Sequence, residues 1–222
     1  GTMPFYNGTL FEIDRREMLR YAGTNPKGTD FPKEAVDRAV ETALALAEPK
    51  GIWQILPYSP ADGIIEGDPP LTLTGNSIRH HLAKSWSVAV LAVTVGDAIE
   101  QESDACFKAG DYVQGLLLDA AATAATEHLA DQVDRYIQKE AARDGQRTVW
   151  RFSPGYGDWP VTQQGPFCRL IHAEEIGAHV TDHSMLFPRK SVSAIIGISQ
   201  CTQRPSPAKC KTCWMKDCSF RS

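Results

Sequence analysis

The sequence predicts one α+β domain with a short appended tail, on three observations. Helical and strand-like texts are intermixed over residues 3–200, with no internal repeat and no low-complexity linker between them. One helical text of about 30 residues, Asp111 to Arg143, stands beside β-branched runs at Trp86–Val95 and Ser191–Ser199. Four of the six cysteines crowd residues 201–222, where the periodic text has stopped. Residues 3–200 are therefore expected to form the domain and 201–222 a Cys-rich tail.

The 222 residues are enough to bury one substantial core. Hydrophobic residues at 42% and charged residues at 23% are ordinary globular composition. A net charge of −4 with no basic run excludes a typical nucleic-acid binder, which shows a basic face. The longest apolar stretch, Val88 to Val95, falls far short of the roughly 20 residues a membrane helix needs. Gly1-Thr2 before Met3 read as cloning residues, and no signal peptide is visible. A cytoplasmic domain without membrane or nucleic-acid partners is the expectation.

Taken in order, Asp14 caps a helix running to about Tyr21, with Gly23 as its stop. Pro32 suits the first turn of the next helix, whose apolar face is Val36, Ala39, Val40, Ala43, Leu44 and Ala47, with Pro49 just past its end. Short strands are expected at Ile52–Pro57 and Gly63–Glu66. Asn76 opens a helical piece with Ile78 and Leu82 inward, and Trp86–Val95 reads as a buried strand. The text before Gly110 is helical; the long helix then follows, its Ala120–Ala125 stretch letting another backbone approach, and Asp144-Gly145 ends it. Thr148–Phe152 is expected as a strand, and Thr162–Ala173 as a helix closed by Ile176-Gly177. Val180–Phe187 and Ser191–Ser199 then read as two strands of a hairpin joined at Pro188-Arg189-Lys190.

Between the Thr148 strand and the Thr162 helix lies the loop Arg151-Phe-Ser-Pro-Gly-Tyr-Gly-Asp-Trp-Pro160. Gly155 and Gly157 can adopt positive φ and expose the main chain to a ligand, while Pro154 and Pro160 restrict the loop. Arg151 offers a planar fork for a carboxylate or phosphate. Tyr156 and Trp159 offer rings to stack on a flat base or a sulfonium. The alternative is a surface loop held by its own aromatics.

This run resembles the S-adenosylmethionine-binding signature of the activation domain of cobalamin (vitamin B12)-dependent methionine synthase, Arg-x-x-Pro-Gly-Tyr-x-x-x-Pro. A second stretch, Val180-Thr-Asp-His-Ser-Met-Leu-Phe-Pro-Arg-Lys-Ser-Val-Ser193, resembles the family's Leu-Thr-Glu-Ser-x-x-Met-x-Pro-x-x-Ser-Val-Ser. The likeness covers about residues 111–199 well and the N-terminal hundred loosely. It implies a twisted, mainly antiparallel sheet packed by helices. It also implies a stand-alone S-adenosylmethionine-binding module that supports reductive methylation of cob(II)alamin.

In that picture Arg151 takes the ligand's carboxylate, and backbone groups of Ser153, Pro154, Gly155 and Tyr156 hold its adenine and amino ends. The family's acidic ligand residue aligns with Thr123, so Glu127, one turn on, is its expected substitute. Asp14 aligns with a second acidic position but competes for the role of helix cap. A family Tyr segment after Ser-Val-Ser is replaced by the cysteine tail. No Asp-x-His-x-x-Gly occurs, so the corrinoid is expected on a partner: a corrinoid protein, or a methionine synthase lacking its own activation domain. A flavodoxin or ferredoxin is the expected electron donor. No general base is required, and no catalytic residue is assigned. No Gly-rich turn follows an early strand, which excludes an ordinary Rossmann methyltransferase.

Cys201, Cys210, Cys213 and Cys218, spaced x8, x2 and x4, offer four thiolates for zinc or an iron–sulfur cluster. Lys209, Lys211 and Lys216 favour the thiolate form. Two other readings stand: a non-catalytic docking or chaperone protein for a corrinoid methyltransferase, and a small metal-dependent redox protein.

Overall fold

A computed structural model describes residues 5–6, 12–23 and 31–200. In chain order the elements are β1 (Phe5–Tyr6), α1 (Arg15–Tyr21), α2 (Lys33–Leu46), β2 (Lys50–Ser59), β3 (Ile64–Ile65), β4 (Leu71–Thr72), α3 (Asn76–His81), β5 (Ser87–Thr94), α4 (Ala98–Lys108) and α5 (Tyr112–Arg143). They continue with β6 (Arg147–Thr148), a 3₁₀ turn (Val161–Gln163), α6 (Gln164–Ile171), a second 3₁₀ turn (Ala173–Ile176), β7 (His179–Val180), β8 (Leu186–Phe187) and β9 (Ser191–Ser199).

The local expectations hold for most of these. Asp14 caps α1, its carboxylate accepting from the N–H groups of Arg16 (3.0 Å) and Glu17 (3.1 Å). Val36, Ala39, Val40 and Ala43 are the buried face of α2. Asp111 caps α5 through the N–H of Gln114 at 3.2 Å.

All pairings in the main sheet are antiparallel, in the order β4-β3-β2-β5-β9-β6, with β1 also on β2. The fold is thus α+β with a mainly antiparallel sheet packed by helices. β5 lies at its centre and is buried on both faces, which is why its text is continuously apolar rather than alternating. Ala89, Leu91 and Val93 face one core with Ala194, Ile196 and Ile198 of β9 and the helices α1, α2 and α5. Val88, Val90 and Ala92 face a second core with Ile195, Phe152, Trp159, Phe167 and Ile171. The Ala-rich middle of α5 is buried in the first core, where small side chains let the helix lie close on the sheet.

The expected hairpin between Val180–Phe187 and Ser191–Ser199 does not form. β7 and β8 pair with each other as a separate ribbon, His179 opposite Phe187 and Val180 opposite Leu186. The turn between them is closed by Thr181 N–H on the Met185 carbonyl, 2.8 Å, and Ser184 N–H on the Thr181 carbonyl, 2.9 Å. β9 pairs instead with β5 over eight residues, Ser191 opposite Thr94 to Ile198 opposite Ser87. The apolar side chains of β9 are satisfied by burial on a two-sided central sheet, which a short ribbon cannot provide.

Thr148–Phe152 also differs from a simple strand. Thr148 pairs with Ile198, but Phe152 pairs with Ile195, so four steps on one chain match three on the other. That is one extra residue, a bulge. It lets Val149 and Phe152, of opposite parity, pack in the same core. The helix expected from Thr162 begins as a 3₁₀ turn and becomes α-helical at Gln164.

Candidate functional site

The bulge turns Arg151 toward α5, where Glu127, Asp131 and Asp134 share one helix face at i, i+4 and i+7. Arg151 Nη2 lies 3.0 Å from Glu127 Oε2. Nη1 lies 2.7 Å from Asp131 Oδ1 and 3.3 Å from Asp134 Oδ2. Burial works against the Arg151 charge, but the carboxylates, Asp131 foremost, outweigh it and raise its pKa. Three carboxylates against one guanidinium leave the cluster two negative charges in surplus. The structure joins Arg151 to Glu127, two residues that the sequence assigns separately to the ligand, and adds Asp131 and Asp134, which the sequence does not single out.

Further back along α5, Lys190 Nζ donates to Thr123 Oγ1 (2.9 Å), one turn before Glu127, and pairs with Asp119 (3.0 Å), two turns before it. Thr123, the position aligned with the family's acidic residue, thus faces a cation belonging to the second motif. Tyr21, at the end of α1, feels the charges of Glu127 and Asp131; burial, then Glu127, raises its pKa. Asp14 itself is engaged as the cap of α1.

The loop closes on itself. Gly155 N–H bonds the Trp159 carbonyl at 2.9 Å and Tyr156 N–H the Ser153 carbonyl at 3.1 Å. Both N–H groups are thus engaged within the loop, and the Tyr156 carbonyl accepts from the Trp159 N–H at 3.0 Å. Gly155 at φ +96° and Gly157 at φ +54° adopt the left-handed region as expected. Tyr156 is 53% exposed and its ring stands 6.1 Å from that of Phe152.

Trp159 is not a stacking ring for a ligand. It is 1% exposed, meets Phe167 edge-on at 5.2 Å, and donates its indole N–H to Gln163 Oε1 at 2.7 Å. Its indole gains more from the apolar core than from a rim position, and Gln163 satisfies its polar end. Asp158, next to it, accepts from the N–H groups of Asn76 (2.9 Å) and Ser77 (2.7 Å) and from the Ser77 hydroxyl. That hydroxyl first, and the amides after it, hold the Asp158 carboxyl below its usual range. A shallow depression of about 530 Å³ lies beside it, lined by Asn76, Ser77, His80, Gly157 and Asp158.

Behind the loop runs a buried polar chain. Ser153 Oγ donates to the Ser193 carbonyl at 2.6 Å, and Ser193 Oγ to Gln164 Oε1 at 2.5 Å. The two motif stretches, 151–160 and 180–193, are therefore in direct contact. Cys168 lies in the same region, and burial pushes its thiol up to about 12, which makes it an inert core thiol. Of the histidines, His81 is partly buried beside Trp150 and Phe152, its Nε2 lies 2.7 Å from the Trp150 carbonyl oxygen, and burial lowers its pKa.

Among the described residues no group of three or more His, Cys, Asp and Glu is placed to hold a metal, and no helix is long and apolar enough to cross a membrane. Cys201, Cys210, Cys213 and Cys218 lie outside the described residues.

No protein-family model matches the chain, and no curated protein matches it. Among solved structures, a crystal structure of the MetH reactivation domain bound to AdoHcy is similar, with a TM-score of 0.63 at 15% identity. The match covers 92% of this chain and 80% of that one, and at this identity it establishes a shared fold.

Proposed function

We propose that this chain is a stand-alone S-adenosylmethionine-binding reactivation module for a separate corrinoid protein or a methionine synthase lacking its own activation domain. The observation that carries this is the contact between the two motif stretches, Ser153 Oγ on the Ser193 carbonyl at 2.6 Å, within a fold shared with a reactivation domain that binds AdoHcy.

The charges suit the ligand. S-adenosylmethionine carries a sulfonium, an ammonium and a carboxylate, one net positive charge, against a cluster with a negative surplus. Arg151 receives the carboxylate, Glu127 faces the ammonium, and the half-exposed Tyr156 supplies a face for the adenine. When bound, S-adenosylmethionine supplies the methyl group that makes one-electron reduction of the partner's cobalt effectively irreversible. The chain's own residues orient that methyl and exclude water, and no side chain has to move a proton. An electron donor such as flavodoxin or ferredoxin completes the system.

Calorimetry with S-adenosylmethionine tests the proposal. Saturable binding is expected, and Tyr156→Ala is expected to lose about 1–3 kcal/mol of it, the usual worth of one base-stacking ring, with an unchanged circular dichroism spectrum. Absence of heat at millimolar ligand overturns the proposal and favours a docking or chaperone protein.

The four tail cysteines extend the proposal to a zinc or iron–sulfur site. Elemental analysis of anaerobically prepared protein is expected to find about one zinc, or an integral iron–sulfur complement, per chain, lost on Cys210→Ser. Metal-free protein would remove this part of the proposal and the redox-protein alternative together.

A further inference from the structure

We propose that Asp131 and Asp134 are positioning residues that hold Arg151 by Nη1, and that Glu127 is an exchangeable partner on Nη2, displaced when a ligand carboxylate docks. The inference deepens the S-adenosylmethionine reading and rests on it. It starts from the unequal surroundings of the two ends of one planar fork. Nη1 has two partners, Asp131 at 2.7 Å and Asp134 at 3.3 Å. The Asp134 side chain is only 5% exposed, and its second carboxylate oxygen accepts from Gln138 Nε2 at 3.0 Å. Nη2 is paired with Glu127, whose side chain is 42% exposed.

The costs of opening the two ends differ accordingly. Releasing Nη1 strands a buried carboxylate, which is strongly unfavourable. Releasing Nη2 returns Glu127 to water, and a half-exposed ion pair contributes little. A carboxylate arriving from solvent therefore replaces Glu127, charge for charge, while Nη1 stays where α5 holds it. The three carboxylates sit on one helix, so the clamp does not drift as the partner changes. The displaced Glu127 carboxylate remains one side chain's reach away, where an ammonium on the same ligand meets it.

The test compares S-adenosylmethionine with its decarboxylated analogue, which keeps the sulfonium, ammonium and adenosine and lacks only the carboxylate. The ratio of their dissociation constants isolates what Arg151 recognises. Wild-type protein is expected to favour the carboxylate form. Glu127→Gln is expected to raise that preference about threefold or more, because the internal competitor is gone. Asp134→Asn is expected to lower it by at least about fivefold. A merely structural Asp134 would weaken both ligands equally and leave the ratio alone.

Guanidinium NMR gives a readout that needs no ligand: rotation of the Arg151 Nη groups is expected to be slow in the wild type and fast in Asp134→Asn. A ratio unmoved or lowered in Glu127→Gln, or a freely rotating Arg151 in the wild type, overturns the proposal. Equal binding of both ligands by the wild type overturns the exchange alone. Binding of neither overturns the exchange together with the reading on which it rests.

Discussion

At the scale of single residues, Arg151 does two jobs that pull an experiment in different directions. It faces a proposed ligand, and it neutralises a buried carboxylate of α5, Asp134. Arg151→Ala is therefore expected to destabilise the fold by about 2–3 kcal/mol, below the ~3–5 for a fully buried pair because Gln138 still holds Asp134. Urea denaturation measures this; an unchanged unfolding free energy would mean that Asp134 does not depend on Arg151. Loss of ligand binding in that variant is consequently ambiguous, whereas Tyr156→Ala removes a half-exposed ring from no core. Arg151 is legible from its motif, and Glu127 only through the resemblance, as the acid one turn past Thr123, where the family's acidic residue aligns. Asp131 and Asp134 are not legible, because acids on a helix usually face solvent, and nothing local says which face a later arginine will reach. Trp159 misled for the opposite reason: a tryptophan in a Gly-Pro loop reads as exposed, yet 1% exposure makes it the loop's anchor.

At the scale of elements, what could be read was what chain-local chemistry decides. The cap at Asp14, the apolar face of α2, and the length of α5 all follow from spacing within a few turns. Pairing partners did not follow. The text of β9 was recognised as a strand, but its partner β5 lies about a hundred residues earlier, and periodicity carries no address. The bulge before Phe152 was equally silent, since one extra residue leaves no mark on composition. Gly197 interrupts an otherwise β-branched run, and a Cβ there would stand 2.3 Å from Ser85 Oγ and 2.8 Å from Leu82 Cδ2. A glycine inside a strand marks such a close approach. It brings the end of α3 down onto the sheet, beside the stretch that carries Arg151.

At the scale of the whole molecule, the site depends on both cores at once. Arg151 reaches the helix side through α5, while Phe152 and Trp159 root the same loop in the opposite core. The two cores are the two faces of one sheet, and β5 and β9 contribute alternate residues to each. Neither face can lose its packing without exposing the strands that the other needs, so the described residues are expected to unfold in one cooperative step. Trp53 reports the helix side, where its ring meets Tyr136 at 5.6 Å, and Trp159 reports the other. In each of two variants, one keeping Trp53 and the other Trp159 as the sole tryptophan of the five, the fluorescence midpoint in urea is expected to coincide with that variant's own far-ultraviolet circular dichroism midpoint. Phe167→Ala, which hollows only the loop-side core, is expected to cost about 3–5 kcal/mol and to move both midpoints together. A shift seen by Trp159 alone would mean that the loop-side core melts by itself. The loop 151–160 would then be a separately folding unit, and its geometry would no longer be set by the carboxylates of α5.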